Sequence, residues 1–165
     1  MWSFARGLLF IGCLSAVGCG FHLRTYSFEG SVDSFAITGL SRAQVVDPLR
    51  RNLRQLGIEQ RNEQEAVLVV DIMDQRSDRR SVSTSGQARA AEYEIDYSVR
   101  YQILDSAGAI LAPPLWIERQ RVYRIDRGNI VGSSEEQALV QRELMQDVAG
   151  QIIRAMDLVS RGDED

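Results

Sequence analysis

The sequence predicts an α+β protein: a two-layer sandwich with two helices packed on one face of a four-stranded mixed sheet. Three observations lead there. Tyr93, Ile95, Tyr97, Val99, Tyr101 and Ile103 alternate with polar residues over eleven positions, the period of a strand with one buried and one wet face. Two other segments repeat their apolar residues at helical spacing. The elements run strand, helix, three strands, helix, and only one sheet face alternates cleanly to apolar, so both helices belong on that face.

Taken in order, Phe35-Ala36-Ile37-Thr38-Gly39 is a short strand closed by a glycine. Ser41 then stands where an N-cap belongs, ahead of the stripe Val45, Leu49, Leu53 and Leu56. Pro48 falls near the first turn, where its missing N–H costs least, and Gly57 supplies the stop. Val67 to Met73 is continuous and β-branched, as in a central strand or one covered on both faces. After the alternating strand, Asp105-Ser106-Ala107-Gly108 is a hairpin turn. Pro113-Pro114 confines the returning strand to an edge or a bulge, and Trp116 to Asp126 resumes it with Ile117, Arg119, Arg121, Tyr123 and Ile125 on one side. Ser134, followed by Glu135 and Glu136, reads as the start of the last helix, whose stripe is Leu144, Met145, Val148, Ile152, Met156 and Val159. Residues 161–165 form an acidic tail.

Ahead of the domain lies a leader. Arg6 is its lone charge, residues 7–18 are uncharged, and Ala16 and Gly18 precede Cys19. A basic start, an apolar middle of roughly 7–15 residues and small residues at the cut define a secretory signal. The run falls short of the ~20 apolar residues of a membrane span. Small residues directly before a cysteine mark the lipoprotein form of that signal, in which Cys19 carries several acyl chains and becomes a stable anchor. The rival Cys13 would leave too short a hydrophobic core. Gly20, rather than an aspartate, follows Cys19 and points to the outer membrane. The expected organisation is a signal peptide at 1–18, a lipidated tether at 19–34, one domain at 35–160 and the tail.

Composition narrows the function. Cys19 is the sole cysteine left after cleavage, so disulfides and multi-cysteine zinc sites are not expected. A net charge of −4 argues against nonspecific nucleic-acid binding. His22 is the only histidine and lies beside the anchor, and no phosphate loop or metal-ligand spacing occurs. Asp71 and Asp74 fall on opposite faces of a regular strand and make no acid pair. The expectation is a non-enzymatic protein with no cofactor other than the lipid on Cys19. All basic residues are arginine. Arg76, Arg79, Arg80 and Arg89 lie between Gln75 and Ala91 among serines and threonines, and Arg127 follows in the next loop. A basic hairpin tip of this kind could hold an anionic ligand by forked hydrogen bonds, or be an ordinary solvated hairpin.

Several segments carry a resemblance. Cys19-Gly20-Phe21-His22-Leu23-Arg24 resembles the mature start of the LptE family of outer-membrane lipopolysaccharide-assembly lipoproteins. Leu49-x-x-x-Leu53-x-x-x-Gly57 is similar to that family's first helix and its stop, and Ala91-Glu92-Tyr93 to the opening of its alternating strand. Arg121-Val122-Tyr123-Arg124-Ile125-Asp126 resembles its Arg-x-Tyr-x-x-Asp strand end, and Glu135 to Met156 its last helix. The resemblance implies a plug inside the LptD β-barrel that supports barrel assembly and the placement of lipopolysaccharide in the outer leaflet. It implies contact with the phosphorylated headgroup, for which Arg79, Arg80, Arg89 and Arg127 are the candidates. Relatives have basic residues where this chain has Thr84 and Ser133, which weakens that transfer. The alternative is a stand-alone periplasmic ligand-binding or scaffold lipoprotein of the envelope.

Overall fold

The computed structural model describes residues 28, 32–82, 90–126 and 129–162. Cys19 and the whole leader lie outside the described residues, as do Arg89 and Arg127. The elements are β1 (Ser34–Gly39), α1 (Val46–Gln55), β2 (Glu59–Gln60), β3 (Leu68–Ser81), β4 (Ala90–Leu104), β5 (Ile110–Asp126) and α2 (Ile130–Gly162).

The sheet has five strands, not the expected four, in the order β2-β1-β3-β4-β5. The added strand, β2, is two exposed residues paired in parallel with β1 at the sheet's edge. Two polar residues carry no periodicity, so nothing in the sequence marks them. They become a strand because Glu59 and Arg61 donate to the Asp33 and Phe35 carbonyls once α1 has turned the chain back. β1 also runs parallel to β3, and β3, β4 and β5 are antiparallel, so the sheet is mixed as expected.

Both helices lie on one face. Val45, Leu49 and Leu53 from α1 and its approach share a single core with Leu144, Val148, Ile152 and Met156 of α2 and with Ile95, Tyr97, Val99, Tyr101 and Ile103 of β4. Leu68, Val70 and Ile72 of β3 complete it, and Val32 is buried there ahead of β1. Val69 points the other way, into a small cluster with Ala36 and Ala66. β3 is therefore central and buried on both faces at its start, which is why Leu68-Val69-Val70 carries no alternation, whereas Val67 and Met73 are exposed.

Three helix ends differ in detail from the sequence reading. α1 begins at Val46 with Val45, not Ser41, at its N-cap and no side-chain cap. Its C-terminus ends as a Schellman motif: Gly57 at φ +81° donates to Arg54 O and Ile58 to Leu53 O, with Ile58 and Leu53 both in the core. Ile58 takes the inward place given to Leu56, which is 37 % exposed. α2 starts four residues before Ser134, and its N-cap is Asn129, whose Oδ1 accepts the Gly132 N–H at 3.1 Å. Asparagine caps as well as serine does, and the acidic pair Glu135-Glu136 lies beyond the first turn.

A bulge in β3 reverses the facing of its second half. Ile72 pairs with Tyr101 and Asp74 with Arg100, so Met73 is an extra residue. Even-numbered residues face the helices before it; after it, Gln75, Ser77, Arg79 and Ser81 do, opposite Val99, Tyr97, Ile95 and Tyr93. Asp74, Arg76, Asp78 and Arg80 turn to the uncovered face. A second irregularity lies at Pro113-Pro114, between the pairs Tyr101↔Leu115 and Ile103↔Ala112. The prolines sit both on an edge strand and in a bulge, where no ladder donor is lost.

Candidate functional site

The candidate site is the end of the sheet at which Ser81 pairs with Tyr93 and Ala90 with Asp126. Strand rather than loop carries Arg76, Arg79 and Arg80, because β3 continues to Ser81. Neighbouring strand residues point to opposite faces, so Arg79 and Arg80 diverge.

Arg79 faces the helices. Its guanidinium lies 5.1 Å from the centre of the Tyr93 ring, and Nη1 reaches Gln137 Oε1 at 3.3 Å and Tyr123 Oη at 3.5 Å. Tyr123 Oη donates in turn to Gln137 Oε1 at 3.1 Å, and the Tyr93 and Tyr123 rings are 6.0 Å apart. This frame joins β3, β4, β5 and the first turns of α2. The hydrogen bond to Tyr123 raises the Arg79 pKa. Arg79 is thus a cation held on an aromatic face and tied to a helix.

Arg80 lies on the uncovered face. Its Nε donates to Glu94 Oε1 at 2.6 Å, and Asp96 Oδ2 is 3.9 Å away. The Glu94 hydrogen bond, then the Glu94 and Asp96 charges, raise its pKa. Glu94 is nearly buried, at 9 % exposure, and Arg80 covers it. An incoming anion would have to compete with that carboxylate. The structure therefore brings Arg79 and Arg80 to one end of the sheet but not into one cluster.

Further pairs brace the same region. Arg121 Nη2 meets Asp147 Oδ2 at 2.9 Å, with Glu143 at 3.5 Å, which fastens β5 to α2. Ser133 is 7 % exposed. Its Oγ accepts the Asp126 N–H at 2.9 Å and donates to Asn129 O at 2.9 Å, locking the end of β5 onto α2. Sequence reasoning missed Gln137 and Ser133, since a lone polar residue in a helix gives no sign of its partner. It also missed the tyrosine pair, although Tyr93 and Tyr123 each stand on the apolar side of their strands.

On the uncovered face, Arg76 is bonded through Nε and Nη2 to Asp74 and lies 4.5 Å over the Trp116 ring. A shallow depression beside it is lined by Asp96, Ser98, Glu118 and Gln120. Among the described residues, no group of three or more His, Cys, Asp or Glu side chains is arranged to hold a metal ion. No helix among them is long and apolar enough to cross a membrane.

Comparison with solved structures gives the same architecture. A minor lipoprotein from Acinetobacter baumannii superposes with a TM-score of 0.62 at 19% identity, over 77% of this chain and 92% of its own. Lipoprotein B from Nitrosomonas europaea gives 0.67 at 21%, over 76% and 83%. The rare lipoprotein B from Shewanella oneidensis gives 0.65 at 20%, over 80% and 99%. At these identities the likeness is one of fold. No sequence among the curated proteins matches the chain. The family described as "LptE: Lipopolysaccharide-assembly" matches residues 31–156, which takes in every strand and all but the end of α2. The chain belongs to the LptE lipopolysaccharide-assembly family.

Proposed function

We propose that the protein is a non-enzymatic outer-membrane lipoprotein, acylated at Cys19 and facing the periplasm, that plugs the LptD β-barrel. In that role it supports barrel assembly and the insertion of lipopolysaccharide into the outer leaflet. The family match across residues 31–156 carries this reading. The leader that ends at Cys19 supports the anchor, and the lipoproteins of like fold agree with it. The lipid on Cys19 is its only prosthetic group.

Arg79 and Arg80 at this end of the sheet, together with Arg89 and Arg127 of the sequence, meet the phosphorylated headgroup. Arg80 engages it by exchanging Glu94 for phosphate, and Arg79 holds the strands and α2 in place beneath. Forked arginine contacts suit a phosphate ester.

Detergent extraction followed by affinity capture on the C-terminus tests the role. The expected result is stoichiometric recovery of a much larger heat-modifiable barrel, identified by mass spectrometry as LptD, and loss of mature barrel on depletion of the lipoprotein. Recovery of the lipoprotein alone, with barrel levels unchanged on depletion, refutes it.

A further inference from the structure

Most arginines of the described domain are engaged: Arg50, Arg61, Arg76, Arg80, Arg121, Arg124 and Arg161 with carboxylates, Arg79 with Tyr123 and Gln137, Arg54 with Gln60 and Arg119 with the Glu118 carbonyl. Arg42, Arg51, Arg100 and Arg142 are different, and of these Arg51 of α1 and Arg142 of α2 lie together. Neither has a carboxylate or hydrogen-bond partner among the described residues, yet both line one groove of about 320 Å³ between the two helices. Asp47 also lines it, but its carboxylate is turned to Arg50 at 3.0 Å. Gln44 and Gln146 add amide donors, and Met145 gives part of the wall an apolar surface. Residues 41–55 hold four arginines against a single aspartate in a chain whose net charge is −4. Two like charges lining one concave site repel, and an oxyanion between them removes that repulsion while accepting forked hydrogen bonds from both.

We infer that the α1/α2 groove is an anion site that takes a phosphate group, held by Arg51 and Arg142 with Gln44 and Gln146 as flanking donors. The groove opens on the helix layer, whereas Arg80 lies on the uncovered sheet face. It neither uses Arg79 or Arg80 nor rests on the barrel-plug role. The phosphate could be free or part of a lipid headgroup, whose acyl portion Met145 would meet.

The test uses the full chain in an uncharged detergent. Arginine Nε–H resonances are followed by NMR during titration with inorganic phosphate, and separately with short-chain phosphatidic acid mixed into the micelles. The Arg51 and Arg142 signals should move together. Arg51→Gln and Arg142→Gln should each weaken the apparent affinity at least tenfold, with far-UV circular dichroism unchanged. Arg100→Gln removes another arginine without a partner among the described residues, on the uncovered face, and should have no effect. Saturation by phosphate alone identifies a soluble anion, and saturation only by phosphatidic acid identifies a headgroup. No shift with either probe, or an equal loss in Arg100→Gln, overturns the site.

Discussion

Replacing Gly39 by alanine should damage the fold far more than the same change at Gly57, although both glycines have positive φ. Gly39 is at φ +74° and Gly57 at φ +81°. An L-residue in the left-handed region costs roughly 1–2 kcal/mol, so that penalty is common to both. The surroundings are not. A Cβ on Gly57 meets nothing within 4 Å. One on Gly39 would run into the Ile72 carbonyl, with its carbon at 3.0 Å, and into the Asp71 carboxylate. The Ile72 oxygen is already occupied by the Leu40 N–H at 2.8 Å, and Ile72 opens the β3 bulge, so the backbone cannot simply retreat. Overpacking of this kind adds about 1–3 kcal/mol. Gly39→Ala should therefore cost about 1–3 kcal/mol more than Gly57→Ala, since the φ penalty and the unfolded-chain term are common to both. Gly57→Ala should cost about 1 kcal/mol, because stiffening the unfolded chain returns part of the strain. Urea unfolding followed by far-UV circular dichroism and tryptophan fluorescence separates the two through their midpoints at unchanged slope. Equal midpoints would refute the claim that close approach to β3, rather than φ alone, demands glycine at position 39.

The remaining predictions concern the site and its supports. Ser133→Ala leaves the Asp126 N–H without its acceptor and should cost about 1–3 kcal/mol in the same urea experiment; full stability would mean that water replaces the hydroxyl. Substituting Arg79, Arg80 and Arg89 by alanine should weaken lipopolysaccharide binding and flatten its dependence on salt, while Glu94→Gln should strengthen binding by releasing Arg80. If neither change moves the binding isotherm, the arginines belong to an ordinary hairpin. Burial pushes the Tyr97 and Tyr101 phenols above the ordinary value of about 10. Such groups stabilise the fold fully below the unfolded-state value, and that contribution falls away as pH rises toward the folded-state value. Stability should accordingly decline above about pH 10, and Tyr97→Phe should reduce the slope of that decline, as read from urea midpoints across the alkaline range.

The uneven legibility of the fold has physical causes. The alternation of Tyr93–Ile103 is visible because β4 has one face against the helices and the other in water. The second half of β3 reads as a loop because the bulge at Met73 reverses which residues face inward, and Gln75, Ser77 and Arg79 are polar on the helix side. Gln75 is tolerated there because Tyr97 Oη donates to its Oε1 at 2.7 Å. That partner is twenty-two residues away and leaves no local trace. The arginine cluster expected at a hairpin tip was a matter of sequence proximity. Strand geometry separates Arg79 from Arg80 by a full sheet thickness.

By itself the sequence determined the α+β class, the two helices on one face, the edge placement of Pro113-Pro114 and the resemblance to the family. Each of these rests on local chemistry: side-chain period, proline's missing donor, glycine's permitted φ. Only the tertiary structure decided that β2 exists, that Asn129 rather than Ser134 caps α2, and that Ser133 locks β5 to that helix. It likewise decided which arginines are already engaged and which two share a groove. Those outcomes depend on which distant group lies within hydrogen-bonding reach, a distance of about 3 Å that no residue's identity encodes until the chain has folded.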